Sequence, residues 1–443
     1  MMKTLLKAVC LIFALLMLLV SCANNNVITP SATPAETPTP SATPTPTPTP
    51  VDQATLLESG DLMKFFTPEV RTAQDNSAAF ITAQMTFDLA LFKKIAGENP
   101  GQNLVTSPLS VMLALAMTAN GAAGQTKTEM EKLLGGTLTL EQLNVEVYNA
   151  LVKLNKQGSA LTFANAIFYN NDPSLNVLPS FLQTNADYYN AAAYKIPFDD
   201  TAVPAVNDWV KNKTDGQIEK IIDKLSENAQ MLLINALCFD AEWTNGYAED
   251  TQRAGTFHAV GGKDEDALMM WSTEELYIAD GKATGFIKPY KNGYSFAALL
   301  PNDGVTLEQY IASLDSATLT KTLQSAKKAA VSAALPKFSH TFGTLLNDAL
   351  KALGMPTAFS LAADFSGMDG TTDLMIERVI HKCTIAVDEN GTKAGAATIV
   401  EVVDKSMPTD WYEVVLDRPF LYLILDDATG LPVFICAVQS TAQ

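Results

Sequence analysis

The chain has 443 residues, 47% of them hydrophobic, which is enough to bury a large core. Its formal net charge at pH 7 is -18, and it has no basic run that could form a phosphate-binding stripe. Nucleic acid and anionic membrane surfaces repel so acidic a chain, which argues against nucleic-acid binding.

The amino-terminal residues are typical of an export signal. Lys3 and Lys7 precede an uninterrupted apolar stretch at residues 8–20, which is short for a transmembrane helix but suits a signal peptide. The sequence Leu-Val-Ser-Cys at residues 19–22 resembles the lipobox of bacterial lipoproteins. We therefore expect lipidation of Cys22, which would anchor the mature protein at the extracellular surface of a bacterial membrane without spanning it. A plain secretory signal is the alternative.

Residues 24–52 have the composition of a stalk. Eight prolines between Pro30 and Pro50 alternate mostly with Thr, Ser and Ala, and such a tract favours extended polyproline geometry over a packed core. No second linker of this character follows. We therefore divide the chain into a signal peptide at 1–21, the anchor cysteine, stalk and leader at 22–72, and one folded domain at 73–443.

The first half of the folded domain is predicted to be mainly helical. Helices are expected at an apolar face spanning residues 85–96, an apolar run at 111–119, a capping box at 126–129, and further patterns at 205–213 and 345–353.

The second half adds strands. Short apolar runs at residues 232–239 and 296–300 have strand length, and the runs at 420–425 and 433–438 flank a turn at 426–430 that predicts a hairpin. The fold class is therefore α+β, with at least one large, mostly antiparallel sheet.

The cysteines and histidines form no catalytic or metal-binding pattern. Cys238, Cys383 and Cys436 each lie in an apolar, strand-like run, which predicts buried thiols. None of the three histidines has metal-binding spacing, and His381 is expected to be a hydrogen-bonded core residue. No GxSxG, Walker or GxGxxG motif occurs. We expect neither metal nor cofactor, and a hydrolase assembled from distant residues is left as an alternative.

The segment at residues 388–398 is unusually rich in small residues for a position so late in the chain. In an extended conformation, side chains alternate between two faces. One face would carry only small, uncharged side chains: Thr392, Ala394, Ala396 and Thr398. The other face would carry Lys393, Gly395 and Ala397. The first face could be buried in a sheet without a desolvation penalty, so the segment suits a loop that can become a strand. A flexible surface loop and a strand packed under a helix are the alternatives.

Eleven motifs spread over residues 83–438 resemble, in order, those of the serpin family. They are Asn103 with Ser107-Pro108-x-Ser110, Gly121-Ala122 with Thr126, Asn165-Ala-Ile-Phe, Asn207-Asp-Trp209 with Thr214-Asp-Gly216, Asn235-Ala-x-Cys-Phe239 with Trp243, Met269-Met270, Leu300-Pro301, Leu335-Pro336-Lys337-Phe338, His381-Lys382, Asp388-Glu389 with Gly391-Thr392, and Arg418-Pro419-Phe420.

The resemblance implies a fold and a mechanism. Helices would surround a large, mostly antiparallel central sheet accompanied by smaller sheets, with a reactive loop exposed to solvent. The protein would be an inhibitor and not an enzyme. A target serine protease would cleave the loop, form a covalent acyl-enzyme and be trapped as the loop inserts into the sheet. The partner would be that protease, and the inhibitor itself a monomer. A non-inhibitory serpin that acts as a surface binding protein is the alternative function.

The resemblance also implies the position of the reactive bond. In the family, the scissile bond follows the residue that lies fourteen positions after the hinge glycine. Counting from Gly391 gives Lys405, followed by Ser406. A lysine at this position suits a trypsin-like protease, whose specificity pocket carries a buried carboxylate. Met407 is the alternative scissile residue, and cysteine proteases remain a second target class.

Other positions match residues that control loop insertion in the family. Ser107, Ser110, Asn235 and His381 match a polar cluster beneath the opening sheet. Trp243 matches the residue where the loop enters, and Glu389 and Lys337 match a pair that bridges the hinge to a neighbouring strand.

The hinge departs from the family pattern at two positions. Lys393 stands where inhibitory members usually have Glu, and Gly395 interrupts the usual alanine run. Both belong to the outward face, so insertion is expected to survive.

Overall fold

The computed structural model describes residues 53–155, 160–225, 229–392 and 410–442, and within these ranges the chain is α+β, as predicted. The α-helices are α1 Gln53–Gly60, α2 Ala78–Glu98, α3 Pro108–Ala119, α4 Gly124–Gly135, α5 Leu140–Leu154, α6 Pro179–Tyr189, α7 Ala202–Lys213, α8 Leu307–Ser313, α9 Ser316–Gln324, α10 Asn347–Leu353 and α11 Ser366–Asp369. None of these helices combines the length and apolar character needed to cross a bilayer.

The strands of the same ranges form two sheets. They are β1 Leu104–Thr106, β2 Leu161–Asn170, β3 Ala192–Ile196, β4 Met231–Phe239, β5 Ala241–Glu242, β6 Gln252–Ala259, β7 Lys263–Ala279, β8 Ala283–Pro289, β9 Tyr294–Pro301, β10 Lys327–Pro336, β11 Phe338–Leu345, β12 Arg378–Val387, β13 Gly391–Thr392, β14 Trp411–Val415, β15 Phe420–Asp426 and β16 Pro432–Val438.

The sheet that concerns function, here called the central sheet, has seven described strands in the order β3-β2-β4-β12-β13-β5, with β11 paired to β12. Its pairs are antiparallel except for β2 with β3 and β4 with β12. The second sheet has nine described strands in the order β1-β16-β15-β9-β8-β7-β10-β14, with β6 on β7. It contains the predicted hairpin, formed by β15 and β16.

Residues 231–239 form an almost uninterrupted apolar run because β4 is buried on both of its faces. Its even-numbered side chains pack with α7 in one core cluster, whereas Leu233 and Leu237 belong to the large cluster on the other face. A strand covered on both faces loses the alternation of polar and apolar residues. Asn235 is the exception, because it is fully buried although its neighbours along β4 are apolar, and it belongs to the candidate functional site.

The structure corrects two predicted helix starts. The capping box at Thr126 is wrong, because α4 begins at Gly124 and the buried Thr126 hydroxyl instead accepts the N–H of Asp364 at 3.0 Å. The helix predicted from residue 345 begins at Asn347, because Leu345 is the last residue of β11 and still pairs with Ile380 of β12. In both cases, the residue that a local pattern assigned to the helix start instead makes a contact with a distant part of the chain.

Candidate functional site

Strands β4 and β12 meet in a parallel ladder at the middle of the central sheet. Seven residue pairs run from Arg378↔Leu232 to Thr384↔Cys238. We call this ladder the seam. Because the two strands point the same way, a single additional strand running in the opposite direction would be antiparallel to both of them.

At the end of the seam marked by Thr384 and Cys238, the two strands separate and form a fork, which β13 of the same chain occupies. Beyond Thr384 the two strands diverge, and the two-residue strand β13 lies between β12 and β5. Thr392 pairs with Val387 of β12, while Gly391 pairs with Glu242 of β5, both in antiparallel register. These two residues are therefore placed as the first residues of a strand that would run down the seam.

A tight turn at residues 388–390 aims β13 into the fork. The carboxylate of Asp388 accepts the N–H groups of Asn390 at 2.8 Å and Gly391 at 3.2 Å. Glycine is required at 391 by close approach: a Cβ there would lie 2.1 Å from the carbonyl oxygen of Ala241. The hinge sequence thus combines an aspartate that closes a turn with a glycine that admits a neighbouring backbone.

Two aromatic residues hold the turn. The indole N–H of Trp243 donates to the carbonyl of Asp388 at 2.9 Å, and its backbone N–H donates to Asn390 at 2.9 Å. The backbone N–H of Tyr247 donates to the carbonyl of Glu389, also at 2.9 Å. Three successive carbonyls of the turn are therefore bound by one short segment.

Tyr290 links this segment to the strand in the fork. Its ring stacks on Trp243 with centroids 4.1 Å apart, and its hydroxyl lies 2.6 Å from that of Thr392. Thr392 is fully buried, so this contact satisfies its hydroxyl group.

The predicted pair Lys337 and Glu389 is formed, with the ammonium 2.7 Å from the carboxylate. Lys337 lowers the pKa of Glu389 by this hydrogen bond. Both side chains are partly exposed, so water screens the pair and limits its contribution to stability.

The four residues predicted as a polar cluster meet at the seam. His381 lies directly opposite Asn235 in the parallel register. The N–H of Ser107 donates to His381 Nε2 at 3.1 Å, so the ring proton is on Nδ1 and is donated to Asn235 Oδ1 at 2.8 Å. The Asn235 amide in turn donates to the carbonyl of Ser110 at 2.5 Å and to Asn165 Oδ1 at 2.9 Å.

The start of helix α3 positions two members of the cluster, Ser107 and Ser110. Ser107 caps α3, its hydroxyl accepting the Ser110 N–H at 3.3 Å, and Pro108 occupies the first helical turn. Burial lowers the pKa of His381 to about 4, so the ring is neutral at pH 7.

A strand inserted in the seam would break this network. Adjacent strands lie about 4.8 Å apart, so insertion would separate β4 from β12 by about twice that distance. The hydrogen bond between His381 and Asn235 could not survive. The cluster therefore crosses the surfaces that must part.

Some contributing residues were not identified from the sequence. In the sequence, Asn165 stands out only as part of a family-like motif, and none of the motifs contains Tyr247 or Tyr290. An amide in an apolar strand was an available signal for Asn165, which is in register with Asn235. The two tyrosines had no local signal.

Several predicted positions lie outside the described residues. They are Cys22, hinge residues Lys393, Ala394, Gly395, Ala396, Ala397 and Thr398, and the reactive-bond residues Lys405 and Ser406.

Comparison with known proteins identifies the family. A family model described as Serpin (serine protease inhibitor) matches residues 82–441. Serpin-Z7 of Hordeum vulgare is 33% identical over 386 residues, which are 82% of this chain and 96% of that protein. The native crystal structure of the thermophilic serpin tengpin has a TM-score of 0.81 and 39% identity, covering 86% of this chain and 99% of that one. Human thyroxine-binding globulin has a TM-score of 0.74 and 26% identity, covering 83% and 100%. The chain is a member of the serpin family.

Proposed function

We propose that this serpin inhibits a serine protease by trapping it as an acyl-enzyme. The protease serine attacks the carbonyl carbon of Lys405, the bond to Ser406 breaks, and the new amino terminus at Ser406 leaves with a proton. An ester then joins Lys405 to the protease. Insertion of the chain from Gly391 onward into the seam would carry the attached protease away before water hydrolyses that ester.

The observation that carries the proposal is the position of β13 in the fork. Gly391 and Thr392 already pair with β5 and β12 in the antiparallel sense that a strand in the seam requires. Insertion would replace one parallel ladder by two antiparallel ladders, which adds backbone hydrogen bonds. An uncleaved loop is tethered at both ends, which slows its insertion, so cleavage would make the release of this free energy fast.

The experiment is an incubation of residues 53–443 with trypsin, followed by a denaturing gel and mass measurement of the released peptide. We expect a covalent band at the summed mass and a small peptide that begins at Ser406. The variant Lys405→Ala is the matched control and should lose both. Cleavage after Lys405 without a covalent band would contradict trapping. Chymotrypsin, whose specificity pocket is hydrophobic, tests Met407: a covalent band with release of a peptide beginning at residue 408 would move the bond there. The same assay with papain tests cysteine proteases.

We also propose that Cys22 is lipidated and holds the inhibitor at an extracellular bacterial surface. The support is the lipobox-like sequence at residues 19–22 and the proline-rich stalk that follows. Full-length chain expressed in a bacterium should incorporate a labelled fatty acid and sediment with membranes. Cys22→Ala should do neither, and label retained in that variant would contradict the assignment.

A second candidate function, binding of a small amphipathic ligand, is favoured by a cavity of about 350 Å³ between α2, α8 and β16. Lys93 and Glu308 supply charge at its wall, and the buried Gln439 Oε1 has no hydrogen-bond partner among the described residues. The similar thyroxine-binding globulin shows by its name that a serpin can carry such a ligand. Thyroxine titration monitored by fluorescence is the test. Gly97→Trp, which fills open space at the cavity wall, should abolish any binding.

A further inference from the structure

A buried ion pair lies behind the aromatic residues that hold the hinge turn. Lys288 is near the end of β8, and its ammonium is 2.8 Å from the carboxylate of Glu274 in β7. Both side chains are more than nine-tenths buried. The hydroxyl of Ser272 donates to the same carboxylate oxygen at 2.6 Å. Desolvating two charges costs several kcal/mol, so this pair requires an explanation beyond packing.

The ammonium of Lys288 faces the two rings that flank the turn. Its nitrogen lies 4.4 Å from the ring centroid of Tyr247 and 5.4 Å from that of Trp243. The two rings are perpendicular, with centroids 6.4 Å apart. A desolvated cation near aromatic rings gains more than an exposed one, so the ammonium resists displacement of either ring.

The strand that carries Lys288 is also tied to the fork. The backbone N–H of Thr244, next to Trp243, donates to the carbonyl of Pro289 at 3.0 Å. Trp243 and Tyr290 form an isolated antiparallel bridge. Displacing Trp243 from the turn therefore strains the end of β8, while Glu274 holds the neighbouring Lys288 from β7.

We propose that Lys288 and Glu274 form a positioning pair that holds Trp243 and Tyr247 against the hinge turn and thereby sets how firmly β13 is held in the fork. The role in inhibition rests on the proposed trapping function, but the hold on the turn does not. Dislodging β13 from the fork requires Trp243 and Tyr247 to release the carbonyls of Asp388 and Glu389. The ion pair opposes that release at a distance from the loop itself.

The test uses the full chain and the double substitution Lys288→Met with Glu274→Gln. Removing both charges avoids leaving one of them buried and unpaired, and glutamine retains an acceptor for Ser272. Buried ion pairs replaced by neutral side chains of similar size are often neutral or stabilising for the whole fold. The matched control is Lys211→Met with Glu219→Gln, which removes an exposed pair on the surface.

The measurement is amide hydrogen exchange of residues 388–392 without any protease, together with the thermal midpoint. We expect exchange in the turn to be about five- to tenfold faster in the double variant, corresponding to about 1–1.4 kcal/mol. The thermal midpoint should be unchanged or higher, and the control pair should change neither quantity.

Two results would overturn the inference: a change of less than twofold in the turn, or faster exchange spread evenly over both sheets, which a merely structural role would produce. Trypsin trapping by the unsubstituted chain is scored separately. If the unsubstituted chain traps trypsin and the turn does not respond, this inference alone fails. If the turn responds and no trapping occurs, only the proposed function fails.

Discussion

At Gly391 the hinge depends on the absence of a side chain. The atoms that a Cβ would meet are the carbonyl oxygen of Ala241 at 2.1 Å and the Cα of Glu242 at 2.8 Å. Both are backbone atoms of β5, so neither can move as the end of a flexible side chain could. The glycine is required here by close approach between strands and not by a left-handed backbone.

We predict that Gly391→Ala expels β13 from the fork. The methyl group cannot fit against β5, so Gly391 and Thr392 should lose their pairing and the stack of Trp243 should loosen. Hydrogen exchange at residues 391–392 should rise at least tenfold, and the tryptophan fluorescence should shift. Gly97→Ala is the control, because its Cβ would meet no atom within 4 Å. Unchanged exchange in Gly391→Ala would contradict the geometry.

In the second sheet, the side chain of Glu265 in β7 binds carboxy-terminal residues 440–442. Burial opposes its ionisation, but hydrogen bonds from Ser440, Ala442 and Thr441 lower the pKa of Glu265 to about 2. A carboxyl group with a lowered pKa stabilises the fold above its unfolded value near 4.5, and that contribution is lost as the pH falls towards 2.

We predict that Glu265→Gln releases the carboxy-terminal residues and lowers the free energy of unfolding by about 1–3 kcal/mol, as for lost hydrogen bonds to a charged group. Urea unfolding at pH 7 measures the loss, and carboxypeptidase should then remove residues 440–443. Glu98→Gln, which breaks only an exposed helical pair, should cost less than about 0.5 kcal/mol. Equal effects of the two substitutions would contradict the assignment.

At the scale of elements, the seam between β4 and β12 is held by a network that contains a neutral histidine. The pKa of His381 is lowered by burial from 6.5 to about 4. Such a group stabilises the folded state fully above pH 6.5, and the contribution falls away as the pH drops from 6.5 towards 4. Protonation of Nε2 would remove the acceptor for the Ser107 N–H.

We therefore predict that acid promotes opening of the seam. Conversion of the uncleaved protein to a loop-inserted form, followed on native gels, should be faster at pH 5 than at pH 7.5. Because burial also lowers the pKa of His340 to about 4, both histidines need testing. His340→Gln should retain most of the acceleration, whereas His381→Gln should lose it. Full acceleration in His381→Gln would assign the effect to another group.

At the scale of the whole molecule, the proposed function depends on whether the central sheet can accept one more strand. The parallel seam in a mostly antiparallel sheet is the place where that strand would be antiparallel to both neighbours. Thr392 is the described member of the small-residue face predicted to be buried on insertion, and it is already fully buried.

If the proposed trapping function is correct, Thr392→Glu should convert the protein from an inhibitor into a substrate. A carboxylate in the fork would lose its hydration, so insertion should fail while cleavage continues. Covalent complex with trypsin should fall at least tenfold, and cleavage should no longer raise the thermal midpoint. Thr392→Ser keeps the hydroxyl that contacts Tyr290 and should still trap. Normal complex formation by Thr392→Glu would contradict insertion along this face.

Local patterns were sufficient for much of the fold. The apolar periodicity of α2, the apolar run of α3 and the turn between β15 and β16 predicted those elements, because each depends on interactions between residues close in the chain. The motifs also indicated which residues would meet at the seam, although no spacing could show that His381 and Asn235 lie opposite each other.

The sequence by itself determined the α+β class, the family resemblance and the hinge of small residues. Only the tertiary structure decided that the seam is parallel, that β13 already occupies the fork, and that Tyr247 and Tyr290 hold the hinge. It alone placed the charge of Lys288 beside that of Glu274 behind the turn. The physical reason is that these contacts join strands far apart in the chain. Their energy depends on burial and on the register of the strands, and neither produces a periodic pattern in the sequence.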